Sequence, residues 1–182
     1  MVRTIQKEIK MKVIFLDIDG VLATPKQYGT ARHKLYKKHP KAEDLQIPYL
    51  WDERCVVAMN RFLRTYNVEI VLSSDWRLHY SMESMDRICR FNGLAKSPIG
   101  FTSIQGSPVH KLEAYRVAEI QAYVAEHQID SWCAVDDMDL GELGTRFVQT
   151  DDRMGCAATG IIEKLVNALH PELRFVDHGI YQ

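Results

Sequence analysis

A chain of 182 residues, 46% apolar and 26% charged, has the size and composition of one soluble globular domain, and two domains would be cramped. Its formal net charge of −1 excludes global charge as a reason to bind nucleic acid or a membrane surface. The longest apolar runs are too short to span a bilayer and residues 1–10 are polar and mixed in charge, so neither a membrane partner nor a secretory signal is expected, and the cytoplasm is the default compartment.

In chain order, residues 1–10 read as an N-terminal extension. The run Lys12-Val-Ile-Phe-Leu-Asp17 is apolar and β-branched with Gly20 just beyond, the pattern of a buried strand that ends on an acidic loop. Residues 23–54 read as an insertion: Pro25, Gly29, Pro40 and Pro48 interrupt it and no period is sustained, as in lids and binding loops. Val56, Val57, Met59, Phe62 and Leu63 predict a helix with one apolar stripe over 54–66. A second buried strand over 68–72 runs into Ser73-Ser74-Asp75, and a helix follows over 81–92 with Gly93 as its stop. A short third strand is predicted over 99–102, then a helix over 112–127 with Val117, Ile120, Tyr123 and Val124 inward. A fourth strand over 132–135 ends in Asp136-Asp137, a fifth occupies 146–149, and a closing helix takes 160–169.

Cys55, Cys89, Cys133 and Cys156 are widely spaced without a Cys-x-x-Cys pair, and read as small buried side chains in a reducing compartment. The histidines make no metal-binding spacing. Strands alternating with helices predict an α/β domain with a parallel sheet covered on both faces. In such sheets ligands bind outside the carboxyl ends of the strands. Asp17 and Asp19 lie past the first strand, Ser73 past the second and Asp136 and Asp137 past the fourth, so three polar clusters should meet at one edge.

Four carboxylates brought together repel and shift one another's pKa values unless a cation joins them. Hard oxygen donors, completed by water and phosphate, suit Mg²⁺ rather than zinc or a softer metal. A carboxylate can also be a nucleophile, splitting hydrolysis into formation and breakdown of an acyl phosphate. That assigns Asp17 as nucleophile and Asp19 as the acid/base that protonates the departing oxygen and later deprotonates water. The Ser73 hydroxyl, Ser74 and nearby backbone N–H groups supply donors to phosphoryl oxygens, with one cation from Arg116 or Lys111.

Asp17-Ile-Asp19-Gly20-Val21 after an apolar strand resembles the first motif of the haloacid dehalogenase (HAD) superfamily. Ser73 matches its second motif, Arg116 resembles its third, normally Lys and sometimes Arg, and Asp136-Asp137 its fourth. The resemblance implies a three-layer α/β/α Rossmann-like HAD fold with a central parallel sheet and a small loop-like cap. It also implies phosphatase rather than dehalogenase chemistry, because the second motif-one position is Asp. The metal would be held by the Asp17 carboxylate, the Asp19 backbone carbonyl and Asp137, with Asp136 secondary. The segments Ile70-Val-Leu-Ser-Ser-Asp-Trp-Arg77, Arg116-Val-Ala-Glu-Ile120 and Phe147-Val-Gln-Thr-Asp151, with Gly155, look like small HAD domains of bacteria and phages associated by name with RNA repair. They also resemble the phosphatase half of polynucleotide kinase-phosphatases.

The basic run Arg32 to Lys41 reads either as a solvated loop or as a guide for a phosphorylated polymer, with Tyr28, Tyr36 or Tyr49 available to stack on a base. Trp76 and Arg77 suit packing and substrate contact equally, and Asp139 and Glu142 read as solvated loop acids. The resulting expectation is a Mg²⁺-dependent phosphomonoesterase acting on a phosphorylated small molecule, a nucleotide or a nucleic-acid end, with no protein partner inferable. A catalytically silent binding module and a phosphotransferase to an acceptor other than water are the alternatives. No P-loop is present, which argues against a kinase.

Overall fold

The computed structural model describes residues 11–27, 30, 34, 38, 50–104 and 112–170. Five strands, β1 (Lys12–Leu16), β2 (Val68–Leu72), β3 (Pro98–Phe101), β4 (Ser131–Asp136) and β5 (Phe147–Gln149), form one sheet in the order β3-β2-β1-β4-β5. Every neighbouring pair is parallel. Among the described residues the α-helices that cover it are α1 (Glu53–Tyr66), α2 (Met82–Asn92), α3 (Leu112–Glu126) and α4 (Ile161–Leu169). The α/β sheet and its helical covering are those expected of a Rossmann-like HAD domain, and the order, which reverses direction at β1, places a crevice at the carboxyl ends of β1 and β4.

The three layers follow from strand alternation. Ile14, Leu16, Ile70, Leu72, Cys133 and Val135 pack on one face against Met59 and Phe62 of α1, Met85 and Ile88 of α2, and Leu165 and Leu169 of α4. Val13, Phe15, Val71 and Ala134 face the other way, against Val117 and Ile120 of α3, with Tyr123 and Val124 packed beside them. Strand β1 has no side facing water, which explains why it reads as a continuous apolar run.

Element ends are set by local chemistry. Ser81 caps α2 by accepting from the Ser84 N–H, and Gly93 ends it in the left-handed region at φ +79°. Asp52 caps α1 through the Arg54 N–H, so Glu53 and Arg54 already lie in the helix. Two expectations need correction. Val57 is 62% exposed, and the buried stripe of α1 uses Cys55 in its place, because 57 falls on the outer arc of the helix. Arg146 precedes β5 instead of starting it, and its guanidinium donates to the Trp132 carbonyl and lies over the Trp132 ring.

Of the insertion, residues 28–29, 31–33, 35–37 and 39–49 lie outside the described residues, and with them most of the basic run and Tyr28, Tyr36 and Tyr49. Lys111, residues 1–10 and the tail from 171 lie outside as well. Lys34 and Lys38 are exposed. The far end of the insertion is built into the core: Trp51 is fully buried, its backbone N–H donates to the Asn92 side-chain carbonyl, and its ring meets Trp76 edge-on at 6.0 Å. All four cysteines are buried and unpaired. Among the described residues no helix is long and apolar enough to cross a membrane.

Candidate active site

Strand register alone brings the polar residues to one level. Leu16 pairs with Leu72 on one side and with Val135 on the other. The next residue of each strand is therefore Asp17, Ser73 and Asp136. Main-chain bonds hold that level: the Asp17 N–H donates to the Val135 carbonyl at 3.1 Å, and the Ser73 N–H to the Leu16 carbonyl at 3.0 Å. Alternation turns all three side chains toward the face covered by α3, and α3 supplies the cation.

Arg116 is buried in the first turns of α3 and reaches all three strands' ends. Its Nη1 lies 2.9 Å from Asp136 Oδ2 and 3.4 Å from Asp17 Oδ1, and its Nη2 donates to Asp75 at 2.7 Å. Burial works against its charge, but Asp17, Asp136, Asp75 and Glu119 outweigh that and raise its pKa. The contest between Arg116 and Lys111 is thus informed on one side only: Arg116 stands at the site.

Asp17 is pushed well above the usual carboxylate range, by burial first and by the Asp136 charge second, against the pull of Arg116 and a hydrogen bond from Ser74. Burial raises Asp136 to about 6, opposed by Arg116 and by the Met138 N–H that bonds its Oδ1. Burial also raises Asp137, with Asp152 and Asp19 adding to it. Asp17, Asp136 and Asp137 offer oxygens that all lie within 4.8 Å of one another. Three carboxylates this close, each disfavoured as an anion, are a donor set that a hard divalent cation fits.

Asp19 is delivered by a tight loop. The amides of Leu22 and Ala23 both donate to the Ile18 carbonyl, and the Gly20 N–H donates to the Ala23 carbonyl at 2.8 Å. Gly20 sits at φ +67°, and a Cβ there would collide with the Asp137 carboxyl, so only glycine lets the loop and Asp137 pack together. Thr150, just past β5, donates its hydroxyl to the Gly20 carbonyl. The half-buried Asp19 carboxylate accepts from the Trp76 indole N–H at 2.9 Å.

The Ser73 hydroxyl is buried with no hydrogen-bond partner. Buried hydroxyls are rarely left so, and one at a strand end beside a carboxylate cluster is suited to an incoming oxyanion. Ser74 caps the short turn that follows and reaches Asp17. Trp76 is 5% exposed and Arg77 is buried against Glu119, so both organise the site from within. Asp139 and Glu142 are exposed, as expected.

Four features escaped the sequence reading: Asp75 on Arg116, Trp76 on Asp19, the Arg77–Glu119 pair, and Thr150 with Asp152. The last had a signal, since Thr150-Asp151-Asp152 follows β5 as Asp136-Asp137 follows β4. The others depend on pairings across the fold.

Residues 13–160 match the family described as the HAD domain in Swiss Army Knife RNA repair proteins. No curated protein and no solved structure matches the chain.

Proposed function

The chain belongs to the family of HAD domains in Swiss Army Knife RNA repair proteins, and from that premise we propose that it is a Mg²⁺-dependent phosphomonoesterase working through an aspartyl phosphate at Asp17. The observation that carries the reading is the common level of Asp17, Ser73 and Asp136 on three adjacent strands, with Arg116 among them.

In this reading an Asp17 oxygen attacks phosphorus as the bond to the ester oxygen breaks. Asp19, oriented by Trp76, gives its proton to the departing oxygen. It then takes a proton from water, which attacks phosphorus and releases inorganic phosphate and the free Asp17 carboxylate. Ser73, Ser74 and Arg116 hold the phosphoryl oxygens throughout. The Asp17 carboxylate, the Asp19 carbonyl and Asp137 would hold Mg²⁺, with Asp136, which Arg116 engages more closely than Asp17, in support. Bound there, Mg²⁺ would supply charge neutralisation for the transferring phosphoryl group.

The substrate we propose is a nucleotide or a terminal phosphate of a nucleic acid, in the cytoplasm. Two things support it: the family's description names RNA repair, and in the sequence the basic run falls in the insertion that follows the segment carrying Asp19. The test is a Mg²⁺-dependent phosphatase screen across nucleotides, sugar phosphates and 3′-phosphorylated oligonucleotides, with Asp17→Asn as control. Hydrolysis of the nucleotide or oligonucleotide class that disappears in Asp17→Asn is the expected result. Undiminished turnover in Asp17→Asn sinks the mechanism, and preference for sugar phosphates sinks the substrate class.

A further inference from the structure

Arg77 and Glu119 form a buried ion pair beside the site, outside the Asp17, Asp136 and Asp137 donor set, and Arg77 Nη1 also lies 3.7 Å from Asp75 Oδ1. Their side chains are each 5% exposed, and Arg77 Nη2 lies 2.5 Å from Glu119 Oε2. Burial lowers the pKa of Arg77, with Glu119 the leading opposing influence, yet an arginine remains charged at any working pH. A single ion pair of this kind is costly to bury and does not by itself stabilise a fold, so its position asks for a reason.

That position is specific. Arg77 Nη1 donates to two consecutive carbonyls, Ser73 at 3.0 Å and Ser74 at 2.7 Å. Because the peptide unit is planar and trans, fixing a carbonyl fixes the N–H of the next residue in the opposite direction. Two carbonyls held by one guanidinium therefore fix two peptide planes, those that carry the Ser74 and Asp75 amides. The same turn carries the unpartnered Ser73 hydroxyl and the Ser74 hydroxyl that reaches Asp17. At its other end the guanidinium is anchored on α3, three residues from Arg116, so one helix face holds both the cation and the turn.

We propose that Arg77 and Glu119 are positioning residues, a buried clamp that presets the Ser73-Ser74 turn for phosphate and locks it in register with Arg116. The proposal rests on the reading of that turn as the phosphate cradle. A planar fork is required for it: lysine has one ammonium and cannot span two carbonyls and a carboxylate in fixed geometry.

The test uses ¹⁵N-labelled full chain titrated with inorganic phosphate in the presence of Mg²⁺, observed at the Ser74 and Asp75 amide resonances, with melting temperature recorded in parallel. Wild type should show both resonances moving as phosphate binds. In Arg77→Met/Glu119→Met, which replaces the pair by apolar side chains of similar size, the phosphate Kd should rise about tenfold or more, and the two resonances should shift or broaden before phosphate is added. Arg77→Lys should fall between the two. A folded double variant with wild-type phosphate affinity and unchanged Ser74 and Asp75 signals overturns the clamp and leaves the phosphatase reading intact. If the double variant does not fold, Glu119→Gln decides: unchanged affinity and signals overturn the proposal, and a weakened Kd with displaced signals supports it. A wild type that binds no phosphate overturns both readings together.

Discussion

At the scale of single residues, Ser73 separates stability from function most cleanly. An unpartnered buried hydroxyl costs about 1–3 kcal/mol, so removing it should not destabilise the fold. Ser73→Ala should therefore melt at or above the wild-type temperature while kcat/KM on any accepted phosphomonoester drops roughly 10–100-fold. Calorimetry and steady-state kinetics on the same preparation check this, and parallel loss of both would show that the hydroxyl is structural. Asp17, Asp19, Asp136 and Asp137 were legible in the sequence because acids directly after apolar runs have few structural uses. Glu119 was not. A glutamate in a helix reads as solvated, and the buried pairing with Arg77, 42 positions earlier in the chain, leaves no local trace. Asp75 was hidden for the opposite reason: its side chain is 60% exposed and would pass for an ordinary surface acid without Arg116.

Among the elements, the loop from Asp17 to Ala23 carries the sharpest constraint. Gly20 is held at positive φ with the Asp137 carboxyl where a Cβ would stand. Gly20→Ala should cost about 1–2 kcal/mol in the backbone and displace Asp137 as well. Mg²⁺ affinity should fall about tenfold or more, as titration calorimetry would show, whereas an alanine at exposed Gly144 should leave it unchanged. Unaltered Mg²⁺ binding in Gly20→Ala would remove Asp137 from the metal site. Strands and helices were legible from period and punctuation, down to Ser81 and Gly93 at the ends of α2. The turn over 75–78 was not, because Asp75, Trp76 and Arg77 each serve a different partner and leave no period to read.

On the scale of the whole molecule, alternation of strands and helices was enough to give the α/β layers, whereas the insertion defied pattern reading. Its far end buries Trp51 in the core, which an irregular, proline-broken stretch does not announce. The buried carboxylates also give the fold a pH signature. Asp136 is raised from 3.8 to about 6, so between those values the folded protein keeps a proton that the unfolded chain has released. Stability from this group is full below about pH 4 and is lost as pH rises through 6. Asp52 has the opposite sign: burial alone would raise it, but hydrogen bonds from Arg54 and Thr24 hold it low. The comparison with Asp136→Asn removes this group together with its push on Asp17, and leaves Asp52 in place. Metal-free wild type should lose melting temperature relative to that variant between about pH 4.5 and 7. Mg²⁺, which competes with protons for these oxygens, should raise the wild-type melting temperature more at about pH 7.5 than at pH 5. Equal Mg²⁺ shifts at both values would place the ion elsewhere. The nucleophilic role of Asp17 is tested most directly by trapping. Quenching steady-state turnover and reducing with borohydride should convert an aspartyl phosphate at position 17, and there alone, to homoserine, read by peptide mass spectrometry. Active enzyme with Asp17 unmodified, or with the modification on another carboxylate, would contradict it.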